Sequence, residues 1–150
     1  MDDLRVRVRE LMPQIRADLD RLVRIPSVSA EGFAPEPVRE SAKATAEVLE
    51  VAGFGDVRFL EVDGAHPAVT GRIEGPQGSP TVMLYAHHDV QPAGDPAEWT
   101  SPPFEPTERD GRLFGRGAAD DKAGVMAHVA AVLAHDGKPP VTVTAFIEGE

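Results

Sequence analysis

Apolar side chains recur at helical spacing near the start of the chain, at Leu4, Val8, Leu11, Ile15, Leu19 and Leu22. One face of a helix shows this spacing, so the pattern predicts an amphipathic first helix. Pro13 lies within it and removes a backbone donor, so we expect a kink or a break there. A second helical pattern covers residues 35–49 and is closed by Gly53.

Strand patterns follow, and they alternate with a third helical pattern over residues 125–133. The run 81–86 is apolar and begins with a β-branched residue, which predicts a buried central strand. Asp110-Gly111 predicts a hairpin turn. The remaining predicted strands cover 57–62, 68–74 and 141–147. This alternation indicates an α/β fold with a mainly parallel or mixed sheet flanked by helices.

The composition limits the classes of function. The 150 residues carry 15 Lys and Arg against 25 Asp and Glu, a net charge of −10, which disfavours binding to nucleic acid or to an anionic membrane. Because the chain has no Cys, any metal must be held by His and carboxylate side chains. The sequence lacks an apolar stretch of about 20 residues and a signal peptide, so we expect a soluble, cytoplasmic protein.

In α/β proteins, ligands bind beyond the carboxyl ends of the strands. His87-His88-Asp89 directly follows the predicted strand 81–86. In an extended segment His87 and Asp89 share a face, and His88 points the other way. A metal-bound imidazole needs an acceptor on its second ring nitrogen, commonly a carboxylate. The segment therefore suits a metal ligand with its orienting group, although a surface turn is the commoner interpretation of an isolated His-x-Asp.

Two acidic segments lie at similar places. Asp120-Asp121 opens the third predicted helix, where one Asp could simply cap the helix. Two adjacent carboxylates exceed what a cap requires, and a carboxylate can bridge two cations. Glu148-Gly149-Glu150 follows the last predicted strand, and solvation alone would explain its acidity. Taken one by one, these segments leave metal binding and ordinary surface roles open.

Taken together, the segments resemble one family. The motifs are Ile25-Pro26-Ser27-Val28-Ser29, His87-His88-Asp89-Val90-Gln91-Pro92, Trp99 with Pro103-Phe104, Asp110-Gly111-Arg112-Leu113-Phe114-Gly115-Arg116-Gly117-Ala118-Ala119-Asp120-Asp121-Lys122, and Phe146-Ile147-Glu148-Gly149-Glu150. In this order and at this spacing they are similar to the dizinc aminoacylase, carboxypeptidase and dipeptidase family. The carnosinase-like dipeptidases are the branch they resemble most.

The resemblance implies roles for individual residues. His87 would bind one zinc ion, and Asp89 would be the catalytic-site carboxylate that orients His87. Asp120 would bridge both metal ions, and members of the family often have a cis peptide bond just after this residue. Arg116 and Lys122 would brace the loop rather than take part in the chemistry. Cobalt or manganese could replace zinc, because both accept His and carboxylate ligands.

Three positions depart from the family pattern. Ala86 and Ala123 stand where glycine is common, which is tolerable if the backbone there does not need a positive φ. His88 stands where the dipeptidases often have Tyr, and it introduces a rival metal ligand. We expect His87 to be the ligand, because the family spacing to Asp89 requires it.

The resemblance also predicts an activity. Two zinc ions would activate a water that hydrolyses the amide bond of a dipeptide or of an N-acyl amino acid. Residues 1–150 would form the N-terminal part of the catalytic domain, without the inserted lid or dimerisation domain and without the C-terminal part. The general base and a further zinc ligand would follow Glu150, so we expect the 150 residues alone to be inactive.

Two expectations concern partners and the alternative function. The intact family protein would be a homodimer, and a chain with an unfinished sheet would expose an edge through which it could self-associate. The alternative is a truncated, non-catalytic α/β module that binds a metal ion or a partner weakly. We expect weak zinc binding from these 150 residues, because His87 and Asp120 are only two of the usual three or four protein ligands, whereas tight binding would mean that the chain completes a site by itself or by self-association.

Overall fold

In the computed structural model, which describes residues 2–150, two helices pack against a four-stranded sheet, and the first helix of the chain packs against those two helices. The helices are α1 (Asp2–Val23), α2 (Glu36–Ala52) and α3 (Lys122–Ala134). The strands are β1 (Gly55–Leu60), β2 (Ala68–Ile73), β3 (Thr81–His87), β4 (Thr107–Arg109), β5 (Arg112–Phe114) and β6 (Thr142–Glu148). The main sheet has the order β1-β2-β6-β3, and β4 and β5 form a separate hairpin.

The main sheet is mixed. β2 is antiparallel to both β1 and β6, whereas β3 and β6 are parallel. The α/β class with a mixed sheet flanked by helices is therefore confirmed, although most pairings are antiparallel. In the parallel pair His87 lies beside Glu148, so the two strands end at the same edge of the sheet.

The prediction of a buried central strand at 81–86 is wrong. Within residues 2–150, β3 pairs only with β6, and it lies at the end of the sheet. Val82, Met83 and Tyr85 are 41%, 65% and 51% exposed, and only Ala86 of this strand is buried. An apolar run indicates that both faces of a strand tend to be buried, but it does not show which part of the chain packs against them.

The first helix continues through Pro13, so the expected break does not occur. Leu11 and Ile15, on either side of Pro13, pack against the same core. This packing holds the helix together where local propensity alone would interrupt it. The second helix ends as predicted at Gly53, whose φ of 102° glycine adopts without strain. No helix in the described part of the chain is long and apolar enough to cross a membrane.

The predicted hairpin forms between β4 and β5. Asp110 and Gly111 join these strands with φ values of 51° and 72°, as a tight two-residue turn of this hand requires. In the loop before the hairpin, the indole N–H of Trp99 donates to the Ala93 carbonyl at 2.9 Å. The guanidinium of Arg116 lies 5.6 Å from the centre of the Trp99 ring. These contacts hold the loop against the segment that leads into α3.

Candidate metal centre

The three polar segments singled out in the sequence meet in one cleft. β3 and β6 end side by side, and the carboxylates that precede α3 reach the same edge of the sheet. The cleft has a volume of about 310 Å³ and is lined by His87, Asp89, Gln91, Asp120, Glu148 and Glu150. The structure therefore brings the predicted site residues His87, Asp89 and Asp120 together.

His87 lies between two carboxylates. Its Nδ1 is 3.0 Å from Asp89 Oδ1, and its Nε2 is 3.2 Å from Asp120 Oδ1. The side chain of Asp89 is 2% exposed, whereas that of Asp120 is 92% exposed. Burial lowers the pKa of His87, but the two carboxylates outweigh burial, so the pKa lies above its ordinary value of 6.5. The surroundings of the ring therefore favour a positive charge.

The peptide bond between Asp120 and Asp121 is cis, which confirms the prediction for this position. Asp121 stands at the N-cap of α3, but its side chain makes no capping hydrogen bond. Its Oδ2 accepts a hydrogen bond from the backbone N–H of His87 instead, at an N···O distance of 3.3 Å. The capping alternative is therefore wrong for Asp121, whose carboxylate holds the end of β3.

The donor set fits part of a zinc site. Imidazole nitrogen and carboxylate oxygen are ordinary zinc ligands, and a ligating His commonly donates its other ring N–H to a carboxylate. His87 and Asp120 offer such a pair of ligand atoms, and Asp89 offers the acceptor. Across residues 2–150, no group of three or more His, Asp or Glu side chains is arranged to hold a metal ion. The residues described would thus supply two ligands of a larger set.

Two basic side chains near the cleft contact backbone carbonyls. Lys122 is fully buried, and its ammonium donates to the carbonyls of Leu22 and Ile25 at 2.7 and 2.8 Å. Arg116 donates to the carbonyl of Pro92 at 3.1 Å. Lys122 therefore ties the start of α3 to the end of α1, and both residues brace the loops as expected.

His88 points away from the cleft and is 1% exposed. Its Nε2 lies 2.9 Å from the carbonyl oxygen of Pro67, a geometry in which the ring N–H donates. A Cβ added to Gly149 would lie 2.8 Å from the His88 ring, so only glycine leaves room for it. Burial lowers the pKa of His88 to about 4. The rival of His87 is therefore a neutral core residue.

Acid is expected to destabilise the fold through His88. A histidine whose pKa falls from 6.5 in the unfolded chain to about 4 in the folded protein contributes stability that is fully present above the higher value and lost as the pH falls through the lower one. The shift corresponds to about 3 kcal/mol in the free energy of unfolding. Urea unfolding across this pH range should show the loss, and His88→Gln should remove it. Parallel pH profiles for the two proteins would contradict the assignment.

Comparison with known proteins establishes the family. The sequence pattern of the peptidase family M20/M25/M40 matches residues 83–150. The cysteinylglycine-S-conjugate dipeptidase of Corynebacterium striatum is 45% identical over 93 residues, which cover 62% of this chain and 20% of that protein. The Cys-Gly metallodipeptidase dug1 of Schizosaccharomyces pombe is 36% identical over 126 residues, which cover 78% of this chain and 26% of that protein. The chain belongs to the peptidase M20/M25/M40 family.

Solved structures agree with the fold of this M20 chain. The dipeptidase Dug1p from Saccharomyces cerevisiae matches with a TM-score of 0.89 at 26% identity, and human carnosine dipeptidase 1 matches with 0.79 at 27% identity. Each match covers 99% of this chain and 34% of the other. The M20 chain thus spans about a third of these structures and a fifth to a quarter of the two curated relatives.

The backbone of the M20 chain explains two of its departures from the family pattern. Ala86 lies in β3 and Ala123 in α3, and neither has a positive φ. Alanine fits both conformations as well as glycine does. The two substitutions therefore leave the geometry of the candidate metal centre unstrained.

Sequence analysis of the M20 chain assigned no role to Ser29 or Tyr85. The hydroxyl of Ser29 donates to Asp89 Oδ2 at 2.6 Å, across 60 positions of sequence. Its only signal in the sequence was its place in the motif that ends at Ser29. The hydroxyl of Tyr85 donates to the carboxylate of Glu148. Neither contact follows from local patterns, because each joins two separate segments.

Proposed function

We propose that this chain carries part of the metal-binding site of an M20 metallopeptidase and forms the N-terminal part of its catalytic domain. The arrangement around His87, with Asp89 on one ring nitrogen and Asp120 on the other, supports this most directly. The family match and the dipeptidase relatives support the same conclusion. The remaining ligands and the general base would come from other parts of the whole protein. We also propose that the whole protein is cytoplasmic and homodimeric.

Four residues at the cleft have defined tasks in the proposed site. His87 Nε2 and the Asp120 carboxylate would hold the metal, with Asp120 able to serve as a ligand shared between two ions. Asp89 accepts a hydrogen bond from the Nδ1–H of His87, which keeps the Nε2 lone pair of the ring available. Asp121 holds the end of β3 through the His87 N–H. When bound, zinc lowers the pKa of a water molecule and polarises the carbonyl of the amide bond.

We propose a dipeptide as the substrate and an N-acyl amino acid as the second choice. The relatives are named for Cys-Gly and for cysteinylglycine conjugates. The cleft itself is acidic, because Glu148 and Glu150 line it together with the two aspartates. Carboxylates attract the free ammonium group of a dipeptide, which an N-acyl amino acid lacks.

Metal removal tests the proposed activity in the full-length protein. Treatment with a chelator should abolish hydrolysis of the dipeptide Cys-Gly, and added zinc should restore it, with cobalt and manganese compared in parallel. The N-acetylated form of the same dipeptide should be hydrolysed more slowly, because it lacks the ammonium group. Undiminished turnover after metal removal would contradict a metallopeptidase.

Residues 1–150 provide the second arm of that experiment. They should show negligible turnover with zinc, because they supply two ligands and no complete site. Turnover that His87→Ala abolishes would contradict this division of the site. If the full-length protein binds zinc and hydrolyses neither substrate, the non-catalytic module is the better explanation.

A further inference from the structure

The carboxylate of Asp89 receives two hydrogen bonds, one on each oxygen. His87 Nδ1 lies 3.0 Å from Oδ1, and the hydroxyl of Ser29 lies 2.6 Å from Oδ2. The side chain of Asp89 is 2% exposed, so water cannot readily replace either donor. A carboxylate held on both oxygens cannot rotate without losing one of the bonds.

The backbone around Ser29 is fixed next to the segment that carries Asp89. Val28 and Val90 form a parallel bridge. The Val90 N–H donates to the Ser27 carbonyl at 2.8 Å, and the Ser29 N–H donates to the Val90 carbonyl at 3.3 Å. The hydroxyl of Ser29 is therefore presented to Asp89 by two short extended segments that are bonded to each other.

Glu150 offers the Ser29 hydroxyl a second acceptor. The distance from Ser29 Oγ to Glu150 Oε2 is 3.2 Å, against 2.6 Å to Asp89 Oδ2. A serine hydroxyl has one proton and donates it to one acceptor. The shorter contact and the deeper burial of its carboxylate assign that proton to Asp89.

We propose that Ser29 is a positioning residue that raises the metal affinity of the site by fixing Asp89 and, through it, the ring of His87. The inference rests on the proposed function. Without the hydroxyl, Asp89 Oδ2 is left buried and without a donor. The carboxylate then turns to find another partner, and the His87 ring loses the nearer and charged one of its two acceptors. Only the backbone carbonyl of Asp89, 3.2 Å from Nδ1, then remains to hold the tautomer and direction of the ring.

The test measures zinc affinity of the full-length protein by competition with a chromogenic chelator. Ser29→Ala should weaken zinc binding by about 10- to 100-fold, the range typical of groups that orient a ligating histidine. Ser29→Thr keeps the hydroxyl and should restore the affinity to near that of the wild type. Excess zinc should return kcat of Ser29→Ala to near the wild-type value, because the ligands themselves are intact.

Ser41→Ala is the matched control. The Ser41 hydroxyl is buried and donates to the His88 carbonyl at 2.8 Å, and Ser27 donates to the same oxygen at 2.9 Å. Its removal deletes a buried serine hydroxyl near the site but leaves both bonds of Asp89 in place. We expect a lower melting temperature for Ser41→Ala and unchanged zinc affinity.

The outcomes separate the inference from the proposed function. Equal zinc affinity of Ser29→Ala and the wild type overturns the role of Ser29 and leaves the metallopeptidase proposal intact. An equal loss in Ser29→Ala and Ser41→Ala, or no recovery in Ser29→Thr, also overturns it, because the effect is then general destabilisation. A wild-type protein that fails to bind zinc overturns both proposals.

Discussion

In the full-length protein, His87→Ala is expected to lower kcat/KM for a dipeptide by about 10³-fold, since metal activation is worth several kcal/mol and each factor of ten is about 1.4 kcal/mol. His87 is placed to offer a ring nitrogen to a metal, because Asp89 occupies Nδ1 and leaves Nε2 facing Asp120. Alanine removes that ligand and leaves the buried Asp89 without its imidazole partner. Steady-state kinetics at saturating zinc, with a parallel zinc titration, measure both effects.

His135→Ala is the control for this substitution. His135 stands at the carboxyl end of α3, at the other end of the helix from the cleft. Its replacement should leave kcat/KM and zinc affinity within about twofold of the wild type. Wild-type kinetics in His87→Ala would show that His87 is not a ligand.

At about pH 10, Lys122→Met is expected to lower the free energy of unfolding by about 2 kcal/mol. The side-chain nitrogen of Lys122 donates to the carbonyls of Leu22 and Ile25, and methionine can form neither bond. The methionine side chain has a similar length and fills most of the same space, so the loss reports the hydrogen bonds rather than packing. Urea unfolding followed by the fluorescence of Trp99 measures it.

The pH of that measurement matters, because burial lowers the pKa of Lys122 to about 7, although Asp89 acts in the opposite direction. A lysine whose pKa falls from 10.5 in the unfolded chain to about 7 in the folded protein must release a proton on folding. This lowers the stability of the wild type at every pH below about 10.5, and methionine does not incur the cost. At about pH 10 little of the cost remains, so the difference between the two proteins reports the hydrogen bonds. Lys43→Met on the exposed side of α2 is the control, with an expected change within about 0.5 kcal/mol. A Lys122→Met protein as stable as this control would contradict the structural role.

Periodicity in the sequence predicted the helices and most of the strands, because the apolar stripe of each element packs on one core. It could not place β3 in the sheet. The run 81–86 is apolar on both faces, and the pairing that leaves it at the edge depends on β6, whose partner residues begin with Thr142. Local rules also failed at Pro13, where they predicted a kink or a break. The residues on both sides of Pro13 pack against the core, and this packing keeps the helix continuous.

Some residues of the candidate site could be predicted from the sequence, and others could not. The two-residue spacing of His87 and Asp89 indicated that their side chains share a face, and the structure places them 3.0 Å apart. Asp120 entered through family resemblance, because 33 positions separate it from His87. The bond from Ser29 to Asp89 and the burial of Lys122 are tertiary facts. No spacing along the chain encodes them.

The parallel register of β3 and β6 makes the candidate site a test of correct folding. His87 faces the cleft because it lies opposite Glu148. A slip of one residue in this pair would turn every side chain of β3 to the other face and carry His87 away from Asp120. A molecule folded in that register would keep its helices and its size, yet it would not take up zinc through these ligands. The fraction of a preparation that binds zinc would therefore count the molecules whose strands are correctly aligned.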